Sequence, residues 1–449
     1  MNLHSLLQKR HEAAGPIRVG VIGAGKFASM FLTQAVNMPE LHIVAIADIA
    51  PTRAFEALER TGWPRERYGS MSIGEAAKSG RTAVIDDSAA LVSSDHIEVV
   101  LEVTGNPLVG VTHAIGAIDN GKHIIMVNVE ADCLVGPLLR QRADRAGVVY
   151  SMAYGDQPAL IAEMVDWCRT VGYEVTAAGK GTKYLPEYRY STPDTVWDYY
   201  GFTEDQLAHG DFNPKMFNSF LDGTKSAIEM AAVSNACGLV PAAEGLQFPV
   251  VSVDELSDQM VPRSAGGTLE GPGMVEVISS LNRDGSEVER DLRWGVYVTF
   301  RAQTEYARSC FSEYGVRTDK SGWYGSLYRP YHMIGMELGV SVASAVLRGE
   351  ATGAPVGFSG DVVTMAKRDL RAGETLDGEG GYCVTGTLAP ASVSLAQKAL
   401  PMGLSHNAKL VRNVAKDHVV TWDDVELPED TLAVQVRREM EAQYQPVGA

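Results

Sequence analysis

The chain is short of long hydrophobic runs and of positive charge. None of its apolar runs approaches the roughly 18–20 residues that a membrane-spanning helix needs. Its 39 lysines and arginines face 56 aspartates and glutamates, which gives a formal net charge of −17. Because this charge repels nucleic acid and anionic lipid at long range, we expect neither a polynucleotide nor a membrane as a partner. A local basic pocket for a small anion is still compatible with it.

Cysteine is also scarce, and the sequence has no internal repeat. The five cysteines lie 35 to 73 residues apart, so no pair has the spacing of a metal clip or a redox motif. An odd, sparse count is typical of a reducing compartment, and the first 15 residues do not have the pattern of a signal peptide. With 45% apolar and 21% charged residues over 449 positions, the sequence predicts a cytoplasmic, globular protein of two or three domains.

Short apolar runs rich in β-branched residues alternate with helix-length segments in the first part of the chain. The runs are Ile17–Ile22, Leu41–Ala47, Ile97–Val103, Ile124–Val127 and Val148–Ala153. Continuous apolar strands that are separated by helices indicate a parallel sheet covered on both faces.

The later parts of the chain have a different pattern. Strand candidates at Val175–Ala178 and Val296–Thr299 flank a long helical pattern over Ser219–Val240. Beyond a segment with glycine and proline near 352–357, short strands and tight turns follow one another. We therefore predict an α/β protein of three domains, which are a parallel-sheet domain (1–155), an α+β domain (156–350) and a small β-rich domain (351–449).

A glycine-rich loop joins the first strand to the helical segment behind it. Its residues are Gly23, Ala24, Gly25, Lys26, Phe27 and Ala28. Gly23 permits a tight turn, Gly25 lets backbone N–H groups approach a pyrophosphate, and Ala28 allows close helix packing. The helix N-terminus adds partial positive charge, and the next strand ends in Asp48 about 20 residues later. This context predicts a dinucleotide-binding domain; a glycine-rich turn without a ligand is the alternative.

The kind of dinucleotide stays open at this point. Asp48 would accept hydrogen bonds from an adenine-ribose 2′-hydroxyl and favour NAD, whereas Arg53 could clamp the 2′-phosphate of NADP. Thr104, Gly105 and Asn106 follow another strand and would lie beside the nicotinamide ribose. Asn106 could also be a simple turn residue.

Two lysines stand in a glycine-flanked stretch of the second domain. Lys180, Thr182 and Lys183 directly follow a strand candidate, and Gly179 and Gly181 would leave backbone N–H groups open to an anion. In a protein of such negative charge, this pattern predicts a turn that holds a substrate phosphate. A solvated loop is the alternative.

The helical pattern further along carries charged residues on one face. Lys225 and Glu229 lie four residues apart, and Asp222 lies three before Lys225. The face could present a general acid, a base and a metal-binding carboxylate together, or it could be a surface ion-pair ladder. Its apolar neighbours favour burial and hence a catalytic role.

Two further candidates lie outside these clusters. Glu130 is near the carboxyl end of a strand, where open α/β sheets bind ligands, and could help to hold Mg²⁺ or Mn²⁺. His332 follows a turn at the start of a helix rich in small residues. It could contact substrate or cofactor, or it could have a structural role.

The order of these segments resembles homoserine dehydrogenase. The shared order comprises the Gly23–Ala28 loop, Asn128-Val129-Glu130, Gly155-Asp156-Gln157-Pro158, Gly179–Tyr184 and the Asp222/Lys225 helix. This chain has Val129 or Glu130 where that family has a lysine, and it has Lys180 and Lys183 where the family has asparagines. The resemblance therefore extends to the fold more than to the substrate.

A more specific resemblance is to the DXR-like (DRL) family, which are 1-deoxy-D-xylulose 5-phosphate reductoisomerases on a homoserine-dehydrogenase-like scaffold. It depends on Gly179–Tyr184, Phe220–Met230 and Arg329–Glu337. Lys367–Glu374 and Lys416–Val425 belong to a C-terminal part that looks like a SAF domain. The resemblance implies a Rossmann domain, a catalytic and dimerisation domain, and a SAF-like β domain.

Resemblance to DRL also implies NADPH, a divalent cation, a homodimer and a role in the methylerythritol phosphate route to isoprenoids. We expect a reductoisomerase of a small phosphorylated ketose, with Asn128 at the cofactor and with Asp156 and Arg329 at the substrate. A homoserine dehydrogenase or a related dehydrogenase is the alternative. A third possibility is a non-enzymatic sensor that binds NADP.

Overall fold

The computed structural model describes residues 2–209, 213–428 and 430–445. Its strands are β1 (Ile17–Ile22), β2 (Leu41–Ala47), β3 (Tyr68–Gly69), β4 (Thr82–Ile85), β5 (Val99–Glu102), β6 (His123–Met126), β7 (Tyr150–Met152), β8 (Glu174–Thr182), β9 (Met274–Ser279), β10 (Val296–Arg301), β11 (Arg317–Thr318), β12 (Tyr324–Arg329), β13 (Gly360–Ala366), β14 (Val384–Pro390), β15 (Lys409–Leu410) and β16 (Val425–Glu426). Its α-helices are α1 (Leu3–Ala14), α2 (Lys26–Ala35), α3 (Pro51–Arg60), α4 (Ile73–Ser79), α5 (Ser88–Ser93), α6 (Pro107–Asp119), α7 (Val129–Ala146), α8 (Gln157–Thr170), α9 (Val196–Tyr200), α10 (Glu204–His209), α11 (Pro214–Leu221), α12 (Thr224–Cys237), α13 (Leu256–Gln259), α14 (Glu305–Glu313), α15 (Gly339–Arg348), α16 (Ala391–Gln397) and α17 (Leu432–Tyr444).

The chain forms two compact units, whereas the sequence pattern divides it into three segments. The first unit contains the described residues up to Leu160 together with His332–Val356, and the second contains Ile161–Tyr331 together with the described residues from Gly357 onward. Helix α15 belongs to the first unit because its Val342 is buried in the same core as β1. A change of local pattern reports the type of element and not its packing partner, so the segment boundaries near 156 and 350 do not coincide with the division into units.

A seven-stranded sheet forms the centre of the first unit. All of its neighbouring strands are parallel, in the order β3-β4-β2-β1-β5-β6-β7. The α/β fold and the five predicted strands are confirmed, and β1 and β2 have the expected bounds. At the end of β1, Ile22 pairs with Ala47 of β2 and with Glu102 of β5. The loops that follow these three strands therefore start at the same edge of the sheet, where parallel sheets bind ligands.

The sheet of the first unit is covered by helices on a dense aliphatic core. Val21, Leu32 and Ile43 expose 1% of their surface or less. Each such side chain contributes roughly 1.5–3 kcal/mol when it leaves water. The core therefore holds the ends of β1, β2 and β5 in fixed positions below the loops that follow them.

A five-stranded mixed sheet forms the centre of the second unit, in the order β11-β12-β10-β8-β9. Strands β8 and β9 are parallel, and β10 is antiparallel to both β8 and β12. Helix α12 packs against β8 and β9 and also against the antiparallel pair β13 and β14. Its Ala231 and Ala232 are fully buried, and such small side chains let neighbouring strands approach closely. The C-terminal pair β13 and β14 thus packs on the same helix as β8 and β9.

Among the described residues, no helix combines the length and the hydropathy needed to cross a bilayer. The five cysteines all lie in the described part of the chain, and none of them forms a disulfide there.

Candidate functional site

The loop after β1 leaves room for a ligand at Gly25. Gly23 has φ +102°, and a Cβ there would lie 3.0 Å from the carbonyl oxygen of Val103, so only glycine fits without strain. A Cβ on Gly25 would meet no atom within 4 Å. Gly25 is also the N-cap of α2 and brings no side chain to the helix end. Free backbone N–H groups at an open helix N-terminus form the kind of site that binds a pyrophosphate.

Asp48 fixes the shape of this loop. Its side chain is 9% exposed, and each carboxylate oxygen accepts a backbone hydrogen bond: Oδ2 from the N–H of Ala24 at 2.8 Å and Oδ1 from that of Ala50 at 2.9 Å. A carboxylate has about four acceptor positions, so both oxygens keep capacity for a ribose hydroxyl. Arg53 is exposed in the first turn of α3, directly after this loop.

The loops after β5 and β6 are tied together by Asn128. Its Oδ1 accepts from the N–H of Ala131 and caps α7, while its Nδ2 donates to the carbonyl oxygen of Asn106 at 2.9 Å. Asn106 itself caps α6 by accepting from the N–H of Leu108 at 3.0 Å. Both asparagines therefore hold backbone in place at the edge where the ligand is expected. The sequence could not distinguish this capping role from that of a simple turn residue.

The predicted phosphate-binding turn at 179–183 is wrong in its local structure, because these residues continue strand β8 as far as Thr182. A Cβ on Gly179 would lie 1.8 Å from the carbonyl oxygen of Glu276, and one on Gly181 would lie 2.0 Å from that of Leu292. The two glycines thus permit close approach of neighbouring backbone. They do not open N–H groups to an anion.

Lys180 of this strand is buried and paired. It exposes 4% of its surface, and its ammonium donates to the carboxylate of Glu229 in α12, which is equally buried. In a buried ion pair, the two charges must stabilise each other because they have lost their contact with water. The role of Lys180 toward a substrate phosphate stays a prediction. In this structure its ammonium is paired with the carboxylate of Glu229.

Asp222 does not share a helix with Lys225 and Glu229. It is the C-cap of α11. Gly223, with φ +90°, interrupts the helical conformation before α12 begins. Asp222 Oδ2 lies 2.7 Å from the Nζ of Lys367, and both side chains are at most 3% exposed. The ammonium of Lys367 also donates to the carbonyl oxygens of Ser191 and Gly381 at 2.8 and 2.9 Å.

A small cavity of about 50 Å³ lies beside this second ion pair. Its wall includes Asp222, Arg189 and Glu244, and the stacked rings of Tyr184 and Phe248 close one side with their centroids 3.7 Å apart. Burial raises the pKa of the Tyr184 phenol to about 12. The residues around Asp222 thus form a charged interior with room for a few atoms of a ligand or for water.

The residues expected at a divalent cation do not fit one. Glu130 lies in the first turn of α7, and its neighbour Asp132 accepts a hydrogen bond from the Tyr150 hydroxyl. Across the part of the chain that the structure describes, no three His, Cys, Asp or Glu side chains converge. Asp222 and Glu229 each face a lysine ammonium instead, whereas hard cations need several oxygen ligands.

The remaining candidates are spread over both units. In the first unit, Asp156 is 4% exposed, and its Oδ1 accepts a hydrogen bond from the N–H of Gln157. His332, also in the first unit, is half-buried and lies in the loop before α15, not on the helix. Arg329, at the end of β12 in the second unit, has its guanidinium 4.7 Å from the ring centroid of Tyr331. Thr182 and Lys225 are half-buried at the end of β8 and the start of α12.

Sequence comparison assigns a family model to each of two segments. Residues 17–126 match an oxidoreductase family described as an NAD-binding Rossmann fold, and residues 155–338 match the catalytic domain of oxidoreductase DRL. Among curated proteins, a homoserine dehydrogenase from Methylobacillus glycogenes is 29% identical over 114 residues. That match spans 25% of this chain and 25% of the relative, so it covers only a quarter of the relative's length.

The solved structures that are similar to this chain are distant from it in sequence. A 3-ketoreductase from Actinomadura kijaniata in complex with NADP is 20% identical, with 37% of this chain and 49% of that chain covered and a TM-score of 0.25. A probable dehydrogenase from Thermotoga maritima is 15% identical, with 76% and 91% covered and a TM-score of 0.38. By the two family models, residues 17–126 are thus similar to an NAD-binding Rossmann fold of an oxidoreductase family, and residues 155–338 are similar to the catalytic domain of oxidoreductase DRL.

Proposed function

We propose that the protein is an NADP-dependent reductoisomerase that converts 1-deoxy-D-xylulose 5-phosphate to 2-C-methyl-D-erythritol 4-phosphate. The observation that carries this proposal is the match of residues 155–338 to the DRL oxidoreductase catalytic domain, behind an NAD-binding Rossmann domain in the same chain. The two buried lysine–carboxylate pairs of the second unit support it, because they supply proton donors and acceptors away from bulk water.

The Rossmann domain of the first unit fits a dinucleotide. The N–H groups around Gly25 would bind the pyrophosphate, Asp48 would accept from a ribose hydroxyl, and exposed Arg53 would contact a 2′-phosphate. When bound, NADPH supplies the hydride that reduces the rearranged aldehyde.

The carbon–carbon rearrangement itself needs one group that takes a proton from a hydroxyl and one that donates to the carbonyl oxygen. Asp222 is a carboxylate that lines a cavity and is held by Lys367, so it suits the accepting role. Lys180, whose ammonium is hydrogen-bonded to Glu229, suits the donating role. Lys225 lies in the first turn of the helix that carries Glu229 and would complete this group of catalytic candidates. His332 would be a further contact of the substrate.

Homoserine dehydrogenase is the second candidate function, because the curated relative with 29% identity carries that name. Reduction of aspartate semialdehyde needs hydride transfer and a donor to the carbonyl oxygen, but no carbon–carbon rearrangement. We further propose that the protein is a cytoplasmic homodimer. Light scattering of the purified protein would test the dimer.

Product analysis separates the two candidates. The protein is incubated with NADPH, Mg²⁺ and Mn²⁺ and with either 1-deoxy-D-xylulose 5-phosphate or aspartate semialdehyde, and the products are identified by NMR. We expect the branched methylerythritol phosphate from the first substrate and no homoserine from the second. Turnover of aspartate semialdehyde alone would assign the protein to the dehydrogenases.

A variant tests whether rearrangement and reduction use different residues. Glu229→Gln should lose turnover of the ketose phosphate and still reduce the aldehyde intermediate when this is supplied directly, because only the first step needs the proton pair. Glu313→Gln, at an exposed position on α14, is the control. Equal loss of both activities in Glu229→Gln would contradict the assignment, provided that circular dichroism shows the variant to be folded.

A further inference from the structure

A second and larger cavity of the second unit lies around Lys183, directly after β8. Its volume is about 340 Å³, and its wall includes Lys183, Arg293, Tyr188 and Trp294. Sites for small ligands and cofactors have volumes of roughly 300–1,000 Å³. The cavity is thus large enough for a small ligand, unlike the one beside Asp222.

Two cations are held close together in this cavity. Lys183 donates one hydrogen bond to the carbonyl oxygen of Tyr199 at 2.7 Å, which leaves two of the three donors of its ammonium. Arg293 lies with its guanidinium carbon 4.9 Å from the ring centroid of Trp294. Partial burial lowers the pKa of Lys183, and the positive charge of Arg293 lowers it further. The two like charges therefore repel each other, and an anion between them would relieve that repulsion.

Acidic side chains on the same wall restrict the kind of anion. Glu287 and Asp291 line the cavity as well, and Asp291 accepts from the backbone N–H of Arg293 at 2.6 Å. A ligand that carries only negative charge would be repelled by these carboxylates. A ligand that also carries hydroxyl groups could donate hydrogen bonds to them, and the rings of Tyr188 and Trp294 offer apolar faces for its C–H groups.

We propose that this cavity binds a small phosphorylated polyhydroxy compound, with its phosphate between Lys183 and Arg293 and its hydroxyls toward Glu287 and Asp291. As a subsite for the substrate phosphate, this inference rests on the proposed function. It makes Arg293, and not Lys180, the second cation beside Lys183. Guanidinium and ammonium groups both form strong charge-assisted hydrogen bonds with phosphate.

Binding of D-ribose 5-phosphate, D-ribose and inorganic phosphate, measured by calorimetry without NADPH, tests the site independently of any reaction. We expect the wild type to prefer ribose 5-phosphate over both fragments. Arg293→Met and Lys183→Met should each weaken ribose 5-phosphate about 10- to 100-fold, the range expected for one charge-assisted contact. Arg301→Met is the matched control, because Arg301 lies over Trp323 in the same way but not at this cavity.

A variant of Glu287 gives a second test, which does not depend on whether the Arg293 variant folds. Glu287→Gln removes a negative charge from the wall, so inorganic phosphate should bind more tightly, about threefold or more. Equal affinities of wild type and Arg293→Met, or no binding of ribose 5-phosphate by the wild type, would overturn the site. If the proposed reaction fails while these affinities change as expected, only the reductoisomerase assignment is lost.

Discussion

In the proposed cofactor site, Asp48 and Arg53 would act on the same end of the dinucleotide with opposite preferences. Both carboxylate oxygens of Asp48 already accept hydrogen bonds from backbone N–H groups of the loop, and these bonds partly compensate its negative charge. The side chain of Arg53, in contrast, is exposed. A carboxylate engaged in this way repels a 2′-phosphate less than a free one would. At the scale of single residues, the structure thus leaves room for NADPH, which a strand-ending aspartate alone would disfavour.

Arg53→Ala tests this directly. We expect the affinity for NADPH to fall about 10- to 100-fold, because a charge-assisted hydrogen bond to phosphate is lost, and the affinity for NADH to stay the same. Fluorescence titration with both cofactors measures the effect. Equal losses for the two cofactors would mean that the arginine has only a structural role.

The buried pair of Lys180 and Glu229 gives a second prediction for single residues. Lys180→Met or Glu229→Met alone leaves an uncompensated charge in the core and should lower the free energy of unfolding by about 3–5 kcal/mol. The double variant should lose less than either single one. Urea unfolding measures all three, with the exposed pair of Arg308 and Glu305 as a control that should change stability by about 1 kcal/mol or less. Additive losses in the double variant would show that the two charges are not coupled.

At the scale of elements, the sequence predicts a helix, strand or loop correctly where the local residue pattern is typical of only one kind of structure. The continuous apolar runs of β1 and β2 and the loop between β1 and α2 were located correctly. Glycine has two meanings, because it suits both turns and close backbone contacts. The sequence therefore predicts a turn at the glycines of β8 and a continuous helix across Gly223, whereas the structure has a strand at the first and a break at the second.

Gly179→Ala distinguishes the two meanings. The added Cβ would lie 1.8 Å from a backbone oxygen of β9, so strand β8 would have to shift and the unfolding temperature should fall clearly, as in an overpacked core that loses about 1–3 kcal/mol or more. Gly271→Ala is the control, because a Cβ there meets no atom within 4 Å. Unchanged stability together with weaker phosphate binding would instead restore the turn at 179–183.

At the scale of the whole molecule, contacts between distant segments were beyond the reach of sequence patterns. Lys367 and Asp222 are far apart in the chain and meet only because β13 and β14 pack on α12. Arg293 lies near Lys183 only because β10 pairs antiparallel with β8. This pairing places the residues before β10 beside the residues after β8. No spacing rule connects such residues, so the lysines could be named as candidates but not their partners.

The stability of the whole molecule should fall as pH rises, because of its net charge and because burial raises the pKa of two carboxyls, those of Asp132 and Glu276, to about 7. The net charge of −17 increases self-repulsion at higher pH, and salt screens this effect over distances of about 10 Å at 0.1 M. Asp132 adds a local effect in the first unit, where burial raises the pKa of its carboxyl to about 7. Salt screens a buried group much less.

The Asp132 contribution has a defined sign and pH range. Between the ordinary aspartate pKa of roughly 3.9 and the folded value of about 7, the folded chain keeps a proton that the unfolded chain has released. Stability is therefore lost as pH rises through this range, by on the order of 4 kcal/mol, and becomes constant above it.

Asp132→Asn should remove this part of the pH dependence, since an amide does not titrate but can still accept the hydrogen bond from Tyr150. Unfolding temperatures between pH 5 and about 8 at low and high salt measure it. High salt should flatten the profile of Asp132→Asn more than that of the wild type, and the slope left in the variant should belong to Glu276 of the second unit, because burial raises the pKa of that carboxyl to about 7 as well. Asp144→Asn, on the exposed face of the same helix, should behave like the wild type. A profile of Asp132→Asn that is as steep as that of the wild type at high salt would show that Asp132 does not contribute to the pH dependence.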